Sequence, residues 1–515
     1  MEINEILDVT KVDPTTTTIE NTENNGYFSV FQFDFTQKLS SVCSTKKQFS
    51  SSVLDCLKHN KMFENLEDMY IPNASEGNFF KNAKWSPDGA CILTSSNDNI
   101  LRIFDLPVNV LETANELDLN SVLTCHAGET IYDFCWYPMM SSQDPVTCCF
   151  LSSNREHPIQ LWDAYTGKVR CSYTIIDHRD EVVGPNALTF NLDGSKIYCG
   201  YKNMIKIFDS HRPGRDGEDC KTTPSRKSKE GQKGIISCLS FNPDRSGLYA
   251  AGSYSQTIGL YDESNNELCC VLQGTKKELI GDVTQVQFSR DGKYLFSASR
   301  KDDFIRCWDI RNTGEILYKL QRNGNTNQRL SFDIDIAGSH LITGSLDGKI
   351  IVYDLVNLNA KGCPQKVLDM PAHGDAISAI SIHPSLQLIA SCSGQRKFKS
   401  IDAVISKEQN RNITSDNSLK VWKAKGDYTW RYYNTGGEIL IHNTEGDENT
   451  TSNPEVNNVE DYFENDKGTV NIDSRVVGLE VDLAVVEEQM NIDNNINTTS
   501  ENGTDNYIMS FVKFT

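Results

Sequence analysis

What this 515-residue sequence lacks narrows its class first. No run of apolar residues is long enough for a membrane-spanning helix, and the opening MEINEILDV is acidic where a secretory leader is basic and then apolar. The expectation is a soluble, intracellular protein. The 16 cysteines contain no Cys-x-x-Cys pair and the nine histidines stand singly, so no disulfide framework, metal site or cofactor is predicted. The thiols are expected to be reduced and buried in strands. There is no Gly-x-Ser-x-Gly, no His-Glu-x-x-His, no phosphate-binding Gly-x-x-x-x-Gly-Lys, and no Gly-x-Gly-x-x-Gly after a strand. The chain is therefore read as a binding protein, not an enzyme. Long stretches of 3.6-residue periodicity are also missing, which argues against a helical solenoid.

An excess of basic charge is absent too: 70 acids face 50 bases, which excludes a polycationic nucleic-acid coat. The imbalance sits at the ends. Residues 1–78 hold 12 acids and 6 bases, residues 427–515 hold 18 and 4, and residues 79–426 are neutral. The end segments are rich in Asn, Thr, Asp and Glu and poor in aromatics, a composition that cannot bury enough apolar surface to offset ordering entropy. Residues 1–26 are read as a flexible segment, 27–78 as a lead-in with a closing strand, and 427–515 as a mostly disordered tail. Within that tail, Val476 to Val486 (VVGLEVDLAVV) is apolar enough for a short interaction segment.

What is present is a repeat. Seven segments end on a strand-like triplet: IFD at Ile103, LWD at Leu161, IFD at Ile207, LYD at Leu260, CWD at Cys307, VYD at Val352 and VWK at Val421. About twenty residues upstream stand apolar anchors at Trp85, Trp136, Phe190, Phe241, Phe288, Ile334 and Ile382, spaced by 51, 54, 51, 47, 46 and 48 residues. That period suits a propeller blade of four short strands, about 40–45 residues plus longer loops. Segments such as YLFSAS at Tyr294 and LITGS at Leu341 have strand composition between Gly, Asn and Asp turns. The expected fold is all-β: a seven-bladed WD-repeat β-propeller over residues 79–426 with disordered acidic N- and C-terminal tails.

Within the last repeat, His373, Ser391 (or Ser393), Asp416 and Trp422 are of the types that form a buried hydrogen-bonded set in such blades, so their role is read as structural. Residues 394–415 are an insertion between its second and third strands. Closure needs a strand from one end of the chain to complete the last blade. Tyr27 to Phe35 (YFSVFQFDF) is the preferred candidate, with Tyr428 to Tyr433 (YTWRYY) as the C-terminal alternative. The loops between second and third strands, with those joining successive blades, gather on one face of a propeller. That face is expected to carry Arg155, Tyr201, Lys202, Tyr254, Arg300, Lys301 and Arg329, joined on the insertion by Arg396, Lys397 and Lys399. Cations that take phosphates beside rings that stack bases suit RNA.

Several passages are far more specific than a blade requires. TIYDFCWYPMMSSQDPVTCCFLSSNREHPIQLWDAYTGKVRCSY (Thr130 to Tyr173), FDSHRPGRDGE (Phe208 to Glu218), GIISCLSFNP (Gly234 to Pro243) with LYAAGSYSQTIGLYD (Leu248 to Asp262), SRKDDFIRCWDIR (Ser299 to Arg311) and TNQRLSFDID (Thr326 to Asp335) resemble, in the same order, the telomerase Cajal body protein family. The resemblance covers residues 79–357. It implies a nuclear protein of Cajal bodies, with a cytoplasmic fraction, that binds small Cajal-body-specific guide RNAs through a loop motif, and telomerase RNA where that motif is present. The implied partners are box H/ACA ribonucleoprotein components, coilin and the survival-of-motor-neurons complex, with neither DNA nor a membrane among them. The last-repeat insertion and the acidic ends depart from the family pattern. The alternative is a non-catalytic protein–protein scaffold for ribonucleoprotein assembly without RNA contact.

Overall fold

The computed structural model describes residues 26–45, 78–112, 116–177, 179–225, 227–228, 230–274, 280–313, 315–396, 416–433 and 439–442. Six blades are four-stranded antiparallel sheets, five of them built from consecutive strands, and the seventh holds five strands. No helix occurs among the described residues. Each inner strand ends on an anchor of the repeat: Phe80–Trp85, Ile131–Trp136, Ala187–Phe190, Ile236–Phe241, Val283–Phe288, Phe332–Ile334 and Ile377–Ile382. The triplets lie in the third strands, as in Ile100–Asp105, Phe304–Asp309 and Leu419–Lys423.

The alternation that marks a half-exposed strand is largely absent because these strands are covered on both faces; Cys91–Ser96, Cys149–Asn154 and Leu388–Ser393 are buried at every residue. The apolar core is divided into seven clusters, one at each seam between neighbouring blades. Between the first two blades, Leu93, Ile103 and Cys125 meet Phe134, Trp136 and Phe150. The 15 described cysteines are all free and 11 of them are buried.

The last blade is closed by the N-terminal part of the chain, but through Ser40–Ser44, which pairs antiparallel with Leu419–Lys423. This corrects the expectation for Tyr27 to Phe35. The strand Gly26–Asp34 pairs instead with Lys425–Tyr433, which pairs in turn with Ile439–His442. The two segments weighed against each other as closing strands are thus partners in a separate three-stranded sheet. An Asx turn separates Gly26–Asp34 from the closing strand: Asp34 Oδ1 accepts from the Thr36 backbone N–H at 2.9 Å. Phe33, Phe35 and Leu39 pack among Ile342, Met370 and Trp422, while the short SSVCS segment has the two small apolar residues, Val42 and Cys43, that the seam with the first blade accepts. Leu117–Asp118, from the loop before the first blade's outer strand, pairs parallel with the closing strand and covers its free edge.

The central channel is held by side chains that latch one blade to the next. Lys84 Nζ donates to the Phe134 carbonyl at 2.6 Å, Asp133 Oδ2 accepts from Leu188 N–H at 3.2 Å, Ser237 Oγ donates to the Val283 carbonyl at 2.6 Å, and Gln285 exchanges both amide bonds with the Phe332 backbone. The seam that closes the ring is bonded by Ser378 Oγ to the Phe80 carbonyl (2.7 Å) and Trp85 Nε1 to the Ser381 carbonyl (3.1 Å). These bonds satisfy polar groups that the channel wall would otherwise bury at a cost of about 1–3 kcal/mol each.

Candidate nucleic-acid interface

Five of the seven inner strands carry a β-bulge at their second residue, where one extra residue faces the neighbouring strand: Lys81, Tyr132, Ser237, Thr284 and Ser378. A bulge re-aims a side chain, and Lys81, Tyr132 and Thr284 line the channel mouth on the loop face. The mouth encloses about 650 Å³. Its walls hold four cations, Lys81, Arg300, Arg329 and Arg396, against one carboxylate, Asp133. At the opposite mouth the count is Lys84, Arg290 and Arg329 against Asp133 and Asp333, so the positive potential belongs to the loop face.

Tyr254 and Arg300 form one unit. The guanidinium carbon lies 4.2 Å from the Tyr254 ring centroid, and Arg300 Nη2 donates to the Tyr254 hydroxyl at 2.8 Å. Arg329 is placed deeper. Its Nη2 donates to the Ser237 carbonyl at 3.0 Å and its Nη1 lies 3.7 Å from Asp133 Oδ1, so it spans the channel and forms the floor of both mouths. Burial opposes its charge, but Asp133 together with Tyr254 and Cys238 outweighs this and its pKa is raised. Lys81 has no hydrogen bond or ion pair among the described residues; burial pushes its pKa down, partly opposed by Asp98.

The other sequence-selected residues scatter. Arg155 is exposed and paired at 3.2 Å with the equally exposed Glu156, a contact that solvent screens. Lys202 and Lys301 are exposed on the loops, Lys301 in the left-handed region at φ 51°. Tyr201 does not reach the face: it is 5% exposed, packed with Leu188 and Phe208, and its hydroxyl donates to the Val183 carbonyl. Arg396 reaches the mouth, whereas Lys397 and Lys399 lie outside the described residues. Sequence reasoning missed Lys81 and Tyr132. The signal that could have found them is their shared place, second in the inner strand, as in FKNAKW and IYDFCW.

His373, Ser391, Asp416 and Trp422 come together away from the mouth. Trp422 Nε1 donates to Ser391 Oγ at 2.7 Å, Ser391 Oγ lies 2.7 Å from His373 Nε2, and His373 Nδ1 lies 3.4 Å from Asp416 Oδ2. Asp416 sits three residues ahead of the third strand and also accepts from the Gly374 backbone N–H at 2.7 Å. Burial lowers the His373 pKa, while hydrogen bonds from His373, Ser418 and Gly374 overcome burial to hold Asp416 well below the usual carboxylate range. Trp162 with Ser152 and Trp308 with Ser297 repeat the first bond at 2.9 and 2.8 Å. Among the described residues no group of three or more His, Cys, Asp or Glu could hold a metal ion.

Seven antiparallel blades, three of them with a Trp-to-Ser latch, define a WD-repeat propeller, and the family model for the WD domain, G-beta repeat, matches residues 79–105, 224–262, 268–309 and 362–402. Beyond that class, the chain is 42% identical over 324 residues to "Telomerase Cajal body protein 1" of Bos taurus (62% of this chain, 58% of that one). It is 33% identical over 348 residues to the Drosophila melanogaster homolog of that protein (65% and 60%) and 30% identical over 359 residues to "Guanine nucleotide-binding protein negative regulator 1" of Schizosaccharomyces pombe (67% and 88%). The chain belongs to the telomerase Cajal body protein 1 family of WD-repeat proteins. It spans 58% of the length of the bovine relative. Fold and relatives' names point to a scaffold family, not to an enzyme family.

Proposed function

We propose that this chain is an RNA-binding targeting factor: its loop face holds small Cajal-body-specific guide RNAs, and telomerase RNA where it carries the same loop motif, and directs these ribonucleoproteins to Cajal bodies in the nucleus. Box H/ACA proteins, coilin and the survival-of-motor-neurons complex are the partners this role requires. The observation that carries the reading is the channel mouth, where four cations oppose one carboxylate beside the rings of Tyr132 and Tyr254. Cations neutralise phosphates and aromatic faces stack bases. A scaffold that touches no RNA calls for an apolar or acidic mouth, and this one is neither.

The test is direct binding of a purified guide-RNA hairpin to the full chain across a salt series. Affinity should fall steeply with salt, by a log–log slope of about −0.7 per single-strand phosphate neutralised. Charge reversal at Arg300 and Lys301 should flatten that slope and weaken binding. The fission-yeast relative, 88% of which is matched, is named for regulating a guanine nucleotide-binding protein, and this favours protein docking as the second reading. Salt-independent or absent hairpin binding would support that reading instead.

A further inference from the structure

We propose that the channel mouth captures one unpaired nucleotide of the bound RNA, its base inserted between Tyr132 and the Arg300–Tyr254 unit and its phosphate on Lys81. This rests on the RNA reading above and says how that RNA is held. The cavity is blind, which decides between a threaded strand and a single inserted base. Arg329, bonded to the Ser237 carbonyl at 3.0 Å and set 3.7 Å from Asp133, crosses the channel beneath it. About 650 Å³ lies above that floor, within the range of roughly 300–1,000 Å³ typical of small-ligand sites.

The lining is chemically divided in the way a nucleotide needs. The Arg300 guanidinium carbon lies 4.2 Å from the Tyr254 ring centroid and its Nη2 donates to the Tyr254 hydroxyl, so the two form one cationic aromatic unit. Tyr132, half-buried and turned inward by its bulge, supplies a second ring, and its hydroxyl has no hydrogen-bond partner among the described residues. Lys81 is turned into the same space by the bulge of its own strand. Lys81 makes no hydrogen bond or ion pair among the described residues; Asp98 acts on it only through the field, against the repulsion of Arg396, which leaves its ammonium open to a phosphate. The side-chain amides of Asn186 and Asn327, also without partners there, line the wall and offer donor and acceptor groups to a base edge. No carboxylate besides the occupied Asp133 lines the cavity to repel a phosphate.

The experiment measures affinity of the full chain for hairpin RNAs with randomised single-stranded loops, selects binders, and replaces each loop nucleotide of a binder in turn by an abasic residue that keeps its phosphate. Capture predicts that one position alone loses about ten- to a hundredfold. Tyr132→Ala should lose a similar factor on the intact RNA and be indifferent to the abasic residue at that position. Tyr132→Phe, which keeps the ring, should bind as the wild type does and separates stacking from any loss of fold. Lys81→Gln should reduce the salt slope by about one contact without changing which position is sensitive. Small losses spread evenly over the loop, or additive losses from Tyr132→Ala and the abasic residue, would overturn capture while leaving RNA binding intact. Failure of every hairpin to bind would overturn both readings.

Discussion

Single residues fix the seam that closes the ring. Gly89, at φ +79°, has no room for a side chain: a Cβ there would lie 2.2 Å from His383 Cε1. Gly89→Ala should therefore cost on the order of 3 kcal/mol, combining a core overlap with a strained backbone, read from urea unfolding. His383 accepts from the Ser385 and Leu386 backbone N–H groups at Nδ1 and donates from Nε2 to the Gly89 carbonyl at 3.0 Å, so it is folded neutral; burial pushes its pKa down to about 4. The unfolded chain binds the proton more readily, so this contribution is complete above about pH 6.5 and disappears as pH falls toward 4. His383→Gln should lose that slope in a urea series against pH. Ser391→Ala should cost about 2–4 kcal/mol, because it strips buried Trp422 Nε1 and His373 Nε2 of one shared partner. The identity of that set was legible in the sequence. The direction of side chains at the mouth was not. Tyr201 ends a strand buried on both faces, where alternation gives no clue, and at Lys81 and Tyr132 a bulge shifts the parity by one residue.

At the scale of elements, the repeat spacing located every inner strand, because a blade must end each one on an apolar residue before its turn. Closure was harder to read. YFSVFQFDF has the stronger strand composition, yet SSVCS closes the blade, since the position selects small side chains between two sheets and not intrinsic preference. Cys43 is fully buried and paired on both sides, to Val421 and to Leu117. Cys43→Asp should force an unpaired carboxylate into that seam and unfold or dissociate the last blade, visible as early loss of tryptophan signal from Trp422 and as aggregation on size exclusion. Residues Gly26 to Gln32, by contrast, are bonded along their backbone to Asp427–Tyr433, so their removal, which keeps Phe33 and Phe35 in the core, should leave the seven-bladed ring closed.

For the whole molecule, a neutral body with acidic ends and one positive mouth explains how a chain of net charge −20 can attract a polyanion locally. The sequence showed the neutral middle and the acidic ends; the contrast between the two mouths depends on which loops converge, which only the closed ring decides. The most direct test of RNA targeting is ultraviolet crosslinking of the full chain in cells with sequencing of the attached RNA, wild type beside an Arg300→Glu, Lys301→Glu double variant. Enrichment of Cajal-body guide RNAs with crosslinks in hairpin loops, lost in the variant, is the predicted result. Background-level RNA on the wild type, or equal recovery from both proteins, would contradict it.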